Sequence, residues 1–146
     1  GSPRMLACFG EHLERMGFQD RAHLIEGLIG QVQLPQNQYD CIFSSSLLHH
    51  LHEPDVLWKT ISDSASPGTR VFVADLVRPA STDEVESLVE LHAASAPEVL
   101  QKDFRASMCA AFRPEEVEQQ LHLAGLGLRL RVSPLGDRHM VILGCL

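Results

Sequence analysis

The chain has 146 residues, 45% of them hydrophobic, and a formal net charge of -7. That length and apolar content fit one folded domain over residues 1–146 and exclude gross disorder. The acidic balance argues against a nucleic-acid surface, no apolar run reaches bilayer length, and no charged-then-apolar leader opens the chain, so the expectation is a cytoplasmic protein.

In chain order, Met5, Leu6, Phe9, Leu13 and Met16 recur at helical spacing before Gly17, which predicts an amphipathic helix from about Pro3 to Met16. Ala22 to Gly27 reads as a short strand, and the Gln-rich stretch from Gln31 to Gln38, with Pro35, as a loop. Tyr39 to Phe43 is an apolar run of strand formers, followed by Ser44-Ser45-Ser46, three nearby histidines (His49, His50, His52) and a helix start at Glu53-Pro54-Asp55. A buried strand that hands small polar residues to its following loop is how an open α/β sheet presents a ligand site. Val56, Leu57, Trp58 and Ile61 continue the helix to Ser64, and Ser66-Pro67-Gly68 ends it.

Thr69 to Leu76 is apolar at both parities, as in a strand covered on both faces, with Asp75 and Arg78 at its carboxyl end. These two either pair with each other or line a pocket. Ser81-Thr82-Asp83-Glu84 is a capping box opening a helix to about Ser95. Pro97-Glu98 begins another, with Met108 and Phe112 as core positions. Pro114-Glu115-Glu116 begins a third, with Val117 and Leu121 inward and Gly125 as its stop. The acidic residues at these starts read as helix N-terminus charges. Leu128 to Ser133 alternates as a half-buried strand, and His139 to Cys145 completes a hairpin across Pro134 to Arg138. Cys8, Cys41, Cys109 and Cys145 lack CxxC spacing, and three of them sit in apolar patterns, so reduced core thiols are expected. No carboxylate or thiol completes a metal set with the three histidines, and no metal is expected.

Strand–helix units ending in an antiparallel hairpin give an α/β sandwich with a mostly parallel sheet. Four segments, in order, resemble class I S-adenosylmethionine-dependent methyltransferases. Ser2-Pro3-Arg4-Met5-Leu6 resembles the helix after the family's second strand, and Tyr39-Asp40 through His50-Leu51 its fourth strand and loop. Ser66-Pro67-Gly68 through Leu76 resembles the Pro-Gly turn and fifth strand, and Phe112-Arg113-Pro114 through Leu126 the helix before the final hairpin. The resemblance implies a partial Rossmann-like three-layer sandwich without the family's first two strands, and S-adenosylmethionine as the cofactor if any is bound. It places Gly27, Leu28, Ser44, Ser45 and Ser46 at the cofactor, although the serines equally suit a turn. His50 is the candidate general base, imidazole being the side chain that exchanges protons near neutral pH; the alternative is a region that only positions the acceptor.

No Gly-x-Gly follows a strand, and Leu28 stands where the family often has an aspartate for the adenine. Two readings follow: a small-molecule methyltransferase body that is not active as this chain alone, or a non-catalytic oligomeric module of the same ancestry that binds a ligand or a protein. Since the family's missing strands would lie between its third and fourth, a bare strand edge and hence a homodimer, by edge pairing or segment exchange, is expected.

Overall fold

The computed structural model describes residues 2–36 and 38–146. The chain divides into two compact units, Gly1–Asn37 and Gln38–Leu146. In the first, helix α1 runs Pro3–Met16 with the predicted bounds. Ser2 caps it by accepting the Met5 N–H, and Pro3 takes the first helical position, where a missing N–H costs nothing. Gly17 adopts φ 70°, so that its own N–H reaches Glu14 and the Phe18 N–H reaches Leu13, a left-handed stop that glycine adopts without Cβ strain. No residue of α1 is buried; Met5, Phe9 and Met16 are all exposed.

A 3-10 turn at Gln19–Arg21 follows, and Ala22 to Gly27 is not a strand. The composition suits a strand, but a strand exists only where a ladder partner is at hand, and the sheet among the described residues has four strands drawn from the second unit.

That sheet contains β1 (Tyr39–Ser45), β2 (Ala65–Leu76), β3 (Leu130–Leu135) and β4 (His139–Cys145), in the order β1-β2-β4-β3. β1 and β2 are parallel, and β4 is antiparallel to both β2 and β3. Helix α2 (Asp55–Ser64) joins β1 to β2; α3 (Thr82–Ala93), α4 (Glu98–Ala110) and α5 (Pro114–Leu123) precede the hairpin. Several bounds differ from expectation. β2 begins at Ala65, because Tyr39 pairs with Ala65 and Cys41 with Arg70, leaving Ser66-Pro67-Gly68 as an irregularity inside the strand rather than a turn before it. β3 starts two residues late, with Leu128 fully exposed, and runs through Pro134; an edge strand tolerates the lost donor. α3 stops at Ala93.

One sheet face carries Val71, Val73, Met140 and Ile142, which are buried with Trp58 and Ile61 of α2 and Val117 and Leu121 of α5. Each such side chain contributes about 1.5–3 kcal/mol relative to exposure. Leu76, Val85, Leu88, Val89, Met108 and Ala111 form a second cluster where α3 and α4 pack together. On the opposite face Phe43, Phe72 and Leu143 share one register row and are exposed, the two rings stacked at 5.7 Å. β2 is therefore covered more fully on one side than its two-faced apolar sequence predicts. All four cysteines are free and exposed rather than core, since apolar patterning marks a face without telling which face is covered. Among the described residues no helix is long and apolar enough to cross a membrane.

Candidate functional site

The parallel strands β1 and β2 end side by side, with Ser44 opposite Val73 and Ser45 opposite Ala74. Ser46 then takes φ 51°, uncommon for a residue with a side chain, while its N–H still reaches the Ala74 carbonyl at 2.9 Å. This sharp exit turns the chain into a 3-10 turn at Leu48–His50.

Asp75, the penultimate residue of β2, fixes that turn. It is 1% exposed. Its Oδ2 accepts the Leu48 N–H at 2.7 Å, and its Oδ1 accepts the Leu76 N–H at 2.8 Å and lies 2.5 Å from His49 Nδ1. A carboxylate only accepts, so this geometry assigns the His49 proton to Nδ1 and leaves Nε2 with a free lone pair. The expected alternatives for Asp75 resolve differently: Arg78 pairs with Glu116, not with Asp75. Glu116 also accepts the Arg113 N–H, which is the main reason its carboxyl lies below the usual range, with Arg78 adding to the effect.

A cavity of about 510 Å³ opens at this strand edge. His49 and His50 line it with Ser46 and Leu76; Leu100 and Phe104 of α4 form an apolar wall beside Ser107, and His92, Arg138 and His139 complete the rim. The His50 ring lies 4.0 Å from that of His49, and His50 is exposed where His49 is buried. At the far rim His92 Nε2 lies 2.5 Å from Asp137 Oδ2. That bond holds Asp137 below the ordinary aspartate range, while burial, followed by the charge of Arg138, lowers His139.

Of the residues expected from sequence, Ser44, Ser45, Ser46 and His50 all lie at this one strand edge. Ser44 Oγ is buried and without a hydrogen-bond partner, the orphaned side-chain atom among the described residues, so this edge fits a ligand bearing a polar acceptor or donor. Gly27 and Leu28 belong to the first unit. A Cβ on Gly27 would meet Val32 at 2.8 Å, and Leu28 presents an exposed apolar side chain. The His49–Asp75 pair was missed in sequence. Nothing local in the sequence connects positions 26 apart that meet only through the parallel register.

An α/β sheet of this order, with its site at the carboxyl ends of the parallel strands, defines a Rossmann-like methyltransferase fold in part. The chain belongs to the methyltransferase domain family, whose model matches residues 1–73. Among solved structures it is similar to a SAM-dependent methyltransferase from Aquifex aeolicus, with TM-score 0.64 and 17% identity over 99% of this chain and 64% of that one. It is also similar to the mitomycin 7-O-methyltransferase MmcR (TM-score 0.65, 17% identity, 99% of this chain and 40% of that one). PigF, solved with SAH, matches at TM-score 0.64 and 19% identity over 97% of this chain and 41% of its own. The chain thus spans less than two thirds of the length of these structures. No curated protein matches it in sequence.

Proposed function

We propose that residues 38–146 carry the acceptor side of an S-adenosylmethionine-dependent methyltransferase site for a small molecule. The observation that carries this reading is the buried His49–Asp75 pair at the wall of the strand-edge cavity. When bound, the cofactor supplies an electrophilic methyl group. Ser44, Ser45 and Ser46 would hold it at the strand edge. The cavity orients the acceptor hydroxyl, and orientation is the largest resource available to a direct displacement. His49 takes the hydroxyl proton at Nε2, and Asp75 stabilises the resulting imidazolium through Nδ1. His50, beside it and exposed, is the second candidate for this proton, without a fixed tautomer. Relatives of this fold that methylate oxygen, such as the mitomycin 7-O-methyltransferase, support an alcohol or phenol as acceptor.

The polypeptide of these 146 residues binds the cofactor weakly and does not turn over by itself in this reading, since no Gly-x-Gly follows any of its strands. A titration of the purified chain with S-adenosylhomocysteine, followed through the amide signals of Ser44 to Ser46, tests it. Saturable shifts are expected; unchanged spectra at millimolar ligand overturn the assignment.

A second reading, a non-catalytic homodimer, is favoured by one observation. β1 lies at the sheet edge, beside the exposed row of Phe43, Phe72 and Leu143, and such an edge attracts another strand. Two copies joined through β1 would form a continuous sheet. A single monomeric species in sedimentation across micromolar concentrations removes this reading.

A further inference from the structure

Resting on the acceptor reading above, we propose that the cavity selects an aromatic acceptor bearing a carboxylate near its hydroxyl, with Arg138 as the group that binds the carboxylate. The protein has a net charge of -7, yet the charged or chargeable residues lining this cavity are Arg138 and four histidines, His49, His50, His92 and His139. No carboxylate lines it. Two carboxylates adjoin the wall, Asp75 bonded to His49 and Asp137 bonded to His92 and to Arg138. Arg138 is the permanent cation of this lining, and a cation at a concave surface attracts an anion. A second lined cavity differs in this respect, with Asp55 and Lys59 both present.

Arg138 is already oriented for the task. Its Nη1 lies 3.0 Å from Asp137 Oδ1, 2.8 Å from His92 Nε2 and 3.1 Å from His92 Nδ1. Asp137 Oδ1 accepts from this nitrogen, and the His92 ring lies against it. One corner of the guanidinium is therefore pinned. Nε and Nη2 have no protein partner among the described residues, and this edge is the two-donor fork that matches a carboxylate. The apolar wall of Leu76, Leu100 and Phe104 suits a flat ring, and Phe104 offers it a face. His139, held neutral by burial, adds a hydrogen-bond donor without drawing the anion away.

Two probes differing only in the carboxylate decide it, 3-hydroxy-2-naphthoate and 2-naphthol, each titrated into the full chain by calorimetry with His50 and His92 imidazole signals as the marker of place. The expected result is at least tenfold tighter binding of the naphthoate, with both imidazoles shifting, and a ratio near unity in Arg138→Gln with naphthol affinity unchanged. Arg138→Lys, which keeps the charge without the fork, is expected to fall between. Equal binding of the two probes overturns the carboxylate assignment, as does a preference that survives Arg138→Gln. Binding of neither probe overturns it as well. In every arm the S-adenosylhomocysteine titration is read separately, so a failed acceptor class is told apart from a failed methyltransferase reading.

Discussion

Two His–Asp pairs face the same cavity at the same 2.5 Å separation, and their surroundings make them different objects. His49 and Asp75 have side chains 4% and 1% exposed, and the carboxylate also holds two backbone N–H groups. His92 and Asp137 are 25% and 46% exposed, and their third partner is Arg138, itself 27% exposed. Water stabilises either member of the outer pair when its partner leaves; nothing replaces the inner one. Distance alone thus says little about what an ion pair does. The inner pair holds a loop and fixes a tautomer, whereas the outer pair sets the charge of a rim.

The sharpest way to break the comparison is Asp75→Ala. It strands the N–H groups of Leu48 and Leu76 in a dry site together with the His49 ring, and we expect it to destabilise the second unit by about 3–5 kcal/mol in denaturant melts. Asp75→Asn, which keeps an acceptor oxygen for the backbone, should recover part of this. Equal, small losses for both variants would mean that water reaches Asp75 and that the two pairs are alike.

His49→Gln comes next. It removes one arm of the inner pair but leaves the two backbone bonds to Asp75, so a loss of about 1–3 kcal/mol is expected. The same assignment predicts a slowly exchanging His49 proton on Nδ1 in the imidazole spectrum, whereas the His92 proton resides on Nε2 and exchanges faster. A His49 proton found on Nε2 would reverse the acceptor-side chemistry.

What was legible beforehand divides along the same line. Local signals were read well: Ser2 with Pro3 and Gly17 bound α1, Ser81 with Glu84 starts α3, and His139–Cys145 is β4 to the residue. These depend on chemistry within a few residues. What the chain places far apart was not legible. Apolar alternation in β1 and β2 could not reveal that Phe43 and Phe72 face outward while Val71 and Val73 are covered, because that depends on which helices pack where. Ala22 to Gly27 has strand composition without a ladder, and Cys41 and Cys145 lie on the open face. The serines and the histidine loop share one strand edge, but choosing His49 over its neighbour as the buried member requires the carboxylate from β2. A usable signal did exist in Asp75 itself: a carboxylate near the end of a strand apolar on both parities needs a partner, and the preceding parallel strand's loop is the nearest source.

Lowering the pH adds a smaller effect between the two pairs. His139 sits between them and titrates below the 6.5 of a free imidazole, first because of burial and then because of Arg138, with Asp75 and Asp137 pulling the other way and His92 adding to the depression. In the window from that lowered value up to 6.5 the unfolded chain binds the proton and the folded one does not. Stability therefore falls as pH drops through this window. His139→Gln should flatten that part of the profile and leave the acid limb, where Glu116 and Asp137 lose their partners, unchanged. An unaltered slope would place the His139 ring in water.

The smallest effect is expected from Asp137→Asn. Its carboxylate is solvated, and exposed pairs contribute little to folding, so thermal melts should not move beyond replicate scatter. The consequence appears at the rim instead. Asp137 balances the charge of Arg138, and removing it leaves a cation with no counter-charge facing the cavity. The naphthoate probe should then bind a few-fold tighter, the reverse of Arg138→Gln, while the neutral naphthol is unaffected. Removal of a carboxylate that strengthens an anion's binding without touching stability would separate the two pairs by function as cleanly as burial separates them by energy. A loss of stability comparable to that of Asp75→Ala would erase the distinction.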